Sequence, residues 1–286
     1  MHSLRKLLST LFLLCPLTLF GWWDAGHMVV AQIAYERVTE ETRTKLDALQ
    51  KIIQQHYPAF NTFTILSIWA DEVKQPGHLP FLEKCHYTNL PYDPENVLSK
   101  LEFLAIERSI NWRGVVSTVC QAEETLKNIG APLLEKAIML SLLIHCVADV
   151  HQPLHCTSRF TSKLPHGDMG GTLCQLTGCR WQSLHQLWDS GAGAFPSQRY
   201  FDSPFDVTTL ASHLTSLYPP DTFPELNEPD PIKWAEKSRQ LAIDVAYDLD
   251  ENKPPSEEYC RRVQKTSERQ ITIAGYRLAR MLEKIL

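Results

Sequence analysis

Glycine is scarce in this sequence, and charged residues are not abundant. Only 12 of the 286 residues are glycine, and 21% are charged, against 44% that are hydrophobic. Collagenous chains are rich in glycine and disordered chains are poor in apolar residues, so both classes are excluded, as are low-complexity chains. The length suits one domain whose core is large enough to contain a deep site.

The sequence also lacks an excess of basic residues. Its 28 Lys and Arg residues stand against 33 Asp and Glu residues, which gives a formal charge of −5 and a pI of about 6.1. A large basic face that holds polyanions by releasing counterions is therefore excluded. Any binding of phosphate must come from another source of positive charge.

Alternating runs of β-branched residues are nearly absent. Helical spacing of apolar residues dominates, and only the segment 171–181 favours a β-hairpin. The sequence therefore predicts an all-α fold, a single compact multi-helix domain with at most a small β-hairpin. The predicted helices span residues 28–38, 41–56, 97–110, 115–129, 132–150, 206–217, 231–248 and 256–286.

The amino terminus carries a distinct apolar run. Arg5 and Lys6 precede the mostly apolar residues 7–20, a pattern typical of a secretory signal and too short and interrupted to span a membrane. We expect cleavage after Gly21, which makes 22–286 a secreted or periplasmic domain without stable membrane association. No Asn-x-Ser/Thr acceptor occurs in the sequence, and this favours a bacterial source.

Seven cysteines would remain in an oxidising compartment after this cleavage. They predict up to three disulfides and at least one unpaired thiol. Their pairing stays open, although Cys174 and Cys179 lie five residues apart across a turn, which favours a local bridge. The seven are Cys85, Cys120, Cys146, Cys156, Cys174, Cys179 and Cys260.

The densest group of titratable residues lies near the end of the most apolar predicted helix. His145 and Asp149 are four residues apart, so both project from one helix face, and His155 follows on the next bend. His185 and Asp189 repeat the spacing on another possible helix. Imidazole and carboxylate groups on facing helices are the ligands with which helical bundles hold metal ions.

A single His-x3-Asp pair is more often a salt-bridged or capping histidine than a ligand set. Two pairs favour a metal, because a buried imidazole beside a buried carboxylate needs a compensating partner. A structural zinc site that uses Cys146 and Cys156 is an alternative, which secretion disfavours. Further candidate ligands are Asp71, His86 and His27. The histidines expected at the surface or behind the ligands are His56, His78, His151, His166 and His213.

Several motifs occur in an order that resembles a known family. They are Trp-x4-His, Trp-Ala-Asp, His-Tyr, His-x3-Asp-x-x-Gln-Pro-Leu-His, Gly-Gly and Leu-His-x-x-Trp-Asp-Ser, from Trp22 to about Gly191. This order is similar to that of the zinc-dependent single-strand nucleases of moulds, plants and bacteria, the S1/P1 nucleases. The resemblance implies a phospholipase C/nuclease fold with a trinuclear zinc cluster in a central cleft.

The resemblance also implies the ligands of three Zn²⁺ ions. Asp71, His86 and His145 resemble those of the first ion, and His155, His185 and Asp189 those of the second. Trp22, through its α-amino nitrogen and carbonyl oxygen, resembles the ligand that holds the third ion with His27, and Asp149 matches the carboxylate that bridges the first and third. An α-amine exists at Trp22 only after cleavage, so the precursor is expected to lack a complete cluster.

By the same resemblance the protein is an endonuclease that hydrolyses single-stranded DNA and RNA to 5′-phosphorylated products, with 3′-nucleotidase activity. The nucleophile is then a zinc-bridging hydroxide, formed from a water that Asp71 orients or deprotonates. Lys74 is expected to contact a phosphate oxygen, and Tyr87 to stack on a base. Asn89 stands where the fungal enzymes have Asp, so their base preference is not transferred. Without the resemblance, a solvated Lys74 would be the better interpretation and a packed Tyr87 an equally good one.

Two alternatives stay open at this point. A zinc phospholipase C would share the scaffold, but that branch carries Glu where this chain has Asp189. A non-catalytic zinc-binding helical protein would have saturated metal positions and no open site for water or phosphate. We expect the nuclease, acting as a monomer without a protein partner on single-stranded DNA, RNA and 3′-nucleotides.

Overall fold

The computed structural model describes residues 22–74, 78–251 and 253–286. The predicted signal peptide, residues 1–21, lies outside the described residues, so its cleavage stays a prediction. Helices dominate the described chain, as the sequence predicts. They are α1 Asp24–Arg37, α2 Glu40–His56, α3 Phe63–Leu66, α4 Trp69–Val73, α5 Lys100–Arg108, α6 Gly114–Lys127, α7 Leu133–Asp149, α8 Leu184–Asp189, α9 Val207–Leu217, α10 Pro231–Leu241 and α11 Glu257–Ile285.

The eight predicted helices correspond to α1, α2, α5, α6, α7, α9, α10 and α11. Their starts follow capping chemistry: the side chains of Thr39, Asp206 and Ser256 accept backbone hydrogen bonds at the first turns of α2, α9 and α11. α1 begins four residues before its predicted start, because Ala25 and Gly26 are buried yet too small to give an apolar periodicity. The predicted helix 231–248 ends at Leu241 and continues as a π-helix, Ala242–Ala246.

The first and last described helices pack closely against each other. Gly275 of α11 lies against α1, where a Cβ atom added to it would stand 2.6 Å from Ile33 Cβ and 3.1 Å from the Val30 carbonyl oxygen. A second close pair, α6 and α7, packs beside them. The buried core therefore surrounds α7, whose residues from Leu140 to Asp149 are all buried.

A two-stranded sheet is the main correction to the predicted fold. The predicted hairpin 171–181 is a series of turns, with one antiparallel bridge between Gln175 and Ser183. The sheet lies elsewhere and is parallel: β1, Leu90–Tyr92, pairs with β2, Thr157–Arg159. Each strand has three residues and shows no alternation of burial that the sequence could signal.

The described residues also bear on the expected disulfides and on membrane spanning. All seven cysteines of residues 22–286 are free thiols in the structure, so the predicted Cys174–Cys179 bridge is not formed in it. Within the described ranges, no helix combines the length and apolar composition that crossing a bilayer requires.

The close approach of α1 and α11 gives a prediction about stability. Gly275→Ala places a methyl group against Ile33 and the α1 backbone, so we expect a loss of about 1–3 kcal/mol despite the better helix propensity of Ala. Gly130→Ala is the matched control, because its added Cβ meets only Asn128 Oδ1 at 3.4 Å, and it should change stability by less than about 0.5 kcal/mol. Urea unfolding measures both, and equal stability of the two variants would contradict the packing.

Candidate metal centre

The apolar helix α7 carries a histidine and an aspartate into the core. His145 and Asp149 are both fully buried, one helical turn apart. Just beyond the helix, Pro153–His155 forms a 3₁₀ turn, which returns His155 towards Asp149. The predicted juxtaposition of these three side chains is thus present in the structure.

Asp149 lies among four histidines. Its Oδ2 atom is 3.1 Å from His86 Nδ1 and 3.2 Å from His145 Nε2, and its Oδ1 atom is 3.5 Å from His27 Nε2 and 3.2 Å from His155 Nδ1. Although burial alone would raise the pKa of Asp149, the nearby imidazoles of His145 and His155 hold it well below its usual value. Asp149 is therefore an ionised carboxylate at the middle of the centre.

Three groups of buried side chains have ligand atoms close enough to share a metal ion. In each group the ligand atoms lie within 4.8 Å of one another. The groups are Asp71 with His86 and His145, His155 with His185 and Asp189, and His27 with His145 and Asp149. All eight histidine and aspartate residues singled out as ligands in the sequence thus lie in one centre.

Backbone carbonyl groups fix three of the histidine rings. A carbonyl oxygen only accepts, so each Nδ1 at hydrogen-bond distance from one carries the proton, and Nε2 keeps its lone pair. The pairs are His145 with the oxygen of Ser67, His155 with that of His86, and His185 with that of Gly170, each at 2.7 Å. Histidine ligands of metals are commonly oriented in this way, by a hydrogen bond on the nitrogen that does not bind.

Several buried polar atoms at the centre have no hydrogen-bond partner in the described part of the chain. They include both ring nitrogens of His27 and the Nε2 atoms of His86 and His155. A buried polar group without a partner costs about 1–3 kcal/mol, so a set of them at one point needs a common partner. Imidazole nitrogens with carboxylate oxygens suit a borderline divalent cation, and the residues present therefore fit a metal ion.

Burial keeps two of the histidines neutral, which is the state that binds metals. It lowers the pKa of His27 to about 3, with a further effect of His145, and lowers the pKa of His86 to about 4, with a further effect of Lys74. Both imidazoles are therefore deprotonated at neutral pH. A metal ion at these positions needs to displace no proton from either ring.

Asp71 and Lys74 form a buried ion pair at the edge of the centre. The Lys74 Nζ atom lies 2.6 Å from Asp71 Oδ1, and both side chains are almost fully buried. Burial alone would raise the pKa of Asp71, but Lys74 and the neighbouring histidines hold it below its ordinary value. The predicted catalytic carboxylate is thus ionised and next to the predicted phosphate contact.

Asp189 is held by Gln152, a residue that the sequence reasoning did not single out. Gln152 Nε2 donates to Asp189 Oδ1 at 2.6 Å, while Gln152 Oε1 accepts from the Leu154 backbone at 2.6 Å. Burial and the nearby carboxylates of Asp149 and Asp71 nevertheless raise the pKa of Asp189 well above its usual value. A cation bound beside it would favour the charged form.

Trp22 is buried against the end of α7. Its indole Nε1 donates to the Ala148 carbonyl oxygen at 3.1 Å, and the Trp23 backbone donates to the Asp189 carbonyl at 3.2 Å. Gly26 makes this packing possible, since a Cβ atom there would stand 2.6 Å from Trp22 Cβ. The first residue of the predicted mature chain is thus fixed next to α7 and α8.

A small cavity adjoins the metal centre where Tyr87 and Asn89 were predicted to contact substrate. Both residues line it, together with the ligands His86, His155 and His185. Both are half-buried, and Asn89 has a positive φ of 50°. The structure thus places the two predicted substrate contacts beside the predicted ligands.

The loop that faces Asn89 is anchored from outside the centre. Asp168 Oδ1 accepts from the Arg159 backbone at 2.9 Å and from the Tyr247 hydroxyl at 3.1 Å. The next residue, Met169, has a φ of 54°, which costs a residue other than glycine roughly 1–3 kcal/mol. This strained residue precedes Gly170, whose carbonyl orients His185.

His151 corrects the expectation for the remaining histidines. It is buried, with Nδ1 2.7 Å from the Val147 carbonyl and Nε2 2.8 Å from Arg277 Nη1, so it belongs to a packing contact between the α7 end and α11. Its position in the apolar stretch after α7 was the available signal. The other four, His56, His78, His166 and His213, are exposed as expected.

Together the fold and the centre define a mostly helical protein that holds metal-ligating histidines and aspartates in its core. The S1/P1 Nuclease family model matches residues 22–286, and the chain belongs to this family. It is similar to Endonuclease 4 and Endonuclease 5 of Arabidopsis thaliana, at 24% and 25% identity, with 92% of this chain and 89% and 90% of those proteins covered. It is also similar to Nuclease S1 of Aspergillus oryzae, at 23% identity over 93% of this chain and 92% of that protein.

Family membership indicates the reaction that this centre serves. The protein is a nuclease, a hydrolase that acts on phosphodiester bonds, and its buried His and Asp groups are suited to the metal dependence of the family. The acidic composition is compatible with this activity, because metal ions bring positive charge to the centre itself.

The bond from Gln152 to Asp189 gives a prediction about metal affinity. Gln152→Ala removes the donor that orients Asp189 and the acceptor that holds the His155 turn, so we expect metal affinity to fall about 10–100-fold. Competition with a chromogenic chelator measures it. Gln240→Ala, at an exposed position of α10, is the control and should leave affinity unchanged. Equal affinities of the two variants would show that Gln152 does not support the centre.

Proposed function

We propose that this protein is a secreted, monomeric, zinc-dependent endonuclease. It hydrolyses single-stranded DNA and RNA to 5′-phosphorylated products and acts on 3′-nucleotides. The observation that carries the proposal is the convergence of three buried His and Asp groups in a chain that matches the S1/P1 family from residue 22 to residue 286. That match begins at the residue proposed to be the mature amino terminus, which supports removal of residues 1–21.

We assign three zinc ions to the centre. Asp71, His86 and His145 would hold the first, and His155, His185 and Asp189 the second. Trp22, through its α-amine and carbonyl oxygen, and His27 would hold the third, and Asp149 would bridge the first and third. The grouping of His27 with Asp149 and His145 supports this bridge, since Asp149 Oδ1 and Oδ2 face different histidines.

Nitrogen and carboxylate ligands in a buried site are those that Zn²⁺ takes in catalytic centres. Bound there, zinc would supply Lewis acidity and would lower the pKa of a coordinated water to about 7. Three such ions against the carboxylates of Asp71, Asp149 and Asp189 leave a charge of about +3 in one cleft. That charge attracts a phosphodiester without any basic surface.

The chain's own residues have separate roles in the proposed reaction. Asp71, kept ionised by Lys74, orients or accepts the proton of the attacking water at its carboxylate. Lys74 is held in place by this ion pair and presents a point charge to a phosphate oxygen. Tyr87 stacks on a base in the adjoining cavity, and Asn89 offers it both a donor and an acceptor.

Substrate assays test the proposed specificity. The zinc-loaded protein is expected to cleave single-stranded DNA and RNA, to release phosphate from 3′-AMP, and to act much more slowly on duplex DNA and on phosphatidylcholine. Asp71→Asn removes a ligand and the proposed base, so it should lower the rate at least about 100-fold. Protein that binds zinc but leaves all three preferred substrates intact would contradict the proposal, and phosphatidylcholine cleavage alone would indicate a phospholipase.

The amino-terminal ligand has a test of its own. A variant with one residue added before Trp22 carries no α-amine at that position, so we expect loss of one zinc per molecule and most of the activity. Metal analysis and amino-terminal sequencing of the secreted protein provide the reference state. The matched control adds one residue after Leu286, far from the ligand. Full zinc occupancy and activity in the extended Trp22 variant would rule out the α-amine as a ligand.

A further inference from the structure

A second, larger cavity continues from the one beside the metal ligands. The two share Asn89 and Met169, and the second has a volume of about 440 Å³. We call it the side groove, and define it by Asn89, Ile106, Arg113, Phe160, His166 and Met169. The two cavities therefore lie side by side, with Asn89 and Met169 between them.

The boundary between the two cavities is built from backbone in an unusual conformation. Asn89 and Met169 both have a positive φ, of 50° and 54°. Asn89 enters this region readily, but Met169 is held in it between the anchored Asp168 and Gly170. Met169 is 48% exposed at this boundary. Strained residues of this kind cluster at ligand clamps, and here they lie where two cavities meet.

The side groove contains a cation that the protein itself does not use. Arg113 is exposed, and within the described ranges its guanidinium makes no hydrogen bond or ion pair. It precedes α6, whose first turn packs on Tyr87 through a hydrogen bond from Val115 N to the Tyr87 carbonyl, at 3.2 Å.

The acidic side chain that lines the side groove is already occupied. Glu102 Oε2 accepts from the Ser99 backbone at 2.8 Å and from the Ser99 hydroxyl at 2.6 Å, and these bonds close the capping box of α5. The rest of the lining is mostly apolar, with the polar side chains of Asn89 and Ser158 and the exposed His166. Its chemistry is thus that of a mostly apolar wall with one available guanidinium.

We propose that the side groove binds the nucleotide next to the one at the metal centre, with Arg113 contacting its phosphate. This inference rests on the proposed action on single-stranded nucleic acid. The volume of the side groove lies in the range of sites for small ligands, and it suits one nucleotide. A guanidinium suits a phosphate because it can donate two parallel hydrogen bonds. Oligonucleotides thus gain a contact that a mononucleotide at the metal centre does not have.

The test compares Arg113→Gln with Arg108→Gln, an exposed arginine of α5 outside the side groove. For Arg113→Gln we expect the ratio of kcat/KM on a single-stranded oligonucleotide to kcat/KM on 3′-AMP to fall about tenfold. The slope of log affinity against log salt should fall by about 0.7, the value for one lost phosphate contact on a single strand. Arg113→Lys should restore part of the ratio, and Arg108→Gln should behave as the wild type.

Binding to the zinc-loaded protein gives a readout without turnover. A fluorescently labelled phosphorothioate oligonucleotide, followed by anisotropy, should bind about tenfold more weakly to Arg113→Gln than to Arg108→Gln. Equal affinities of the two variants, or an equal loss of kcat/KM on the oligonucleotide and on 3′-AMP, would overturn the proposed role of the side groove. Binding through Arg113 without cleavage of any nucleic acid would overturn the proposed function alone, and a wild type that neither binds nor cleaves would overturn both.

Discussion

The repulsion among Asp71, Asp149 and Asp189 is the constraint on which the centre depends. Three carboxylates lie together in the protein core, where the low dielectric strengthens every charge interaction. Lys74 compensates Asp71, and four histidines surround Asp149. Asp189 has the amide of Gln152 and the imidazole of His185, whose Nε2 lies 3.3 Å from Asp189 Oδ2, yet its pKa is raised. The three carboxylates can all stay charged in the core only with cations among them. The packing of this part of the core therefore depends on metal binding.

The small parallel sheet helps to position two histidine ligands of the centre. β1 and β2 follow two of the histidine ligands, and their pairing brings Thr88 N within 2.8 Å of the His155 carbonyl. In return, His155 Nδ1 lies 2.7 Å from the His86 carbonyl. The backbone near each ligand therefore fixes the other ligand. Two residues far apart in sequence are held in register by main-chain bonds, which no side-chain substitution removes directly.

Much of the fold was predictable because long amphipathic helices repeat their signal over several turns. The His-x3-Asp pairs were predictable for the same reason, since the helical repeat places both side chains on one face. α3 and α4 have only four and five residues, too few for a periodicity. β1 and β2 escaped because their pairing is long-range, and the hairpin prediction failed because turn residues at 171–181 fold without strand pairing. Ser67 and Gly170 act through their carbonyl oxygens, so their identity in the sequence carries no trace of that role.

The contact of Gly275 with Ile33 joins the two ends of the domain, and it affects the order in which the protein can be made. α1 carries His27, while α11, which packs against α1, leaves the ribosome after every other described helix. Until α11 exists, the part of α1 around Ile33 that packs on Gly275 has no cover. Closing so long a loop is entropically costly, and such distant contacts slow folding. Synthesis of α11 thus precedes stable packing of α1, and a product truncated before α11 would lack activity although it retained every proposed ligand.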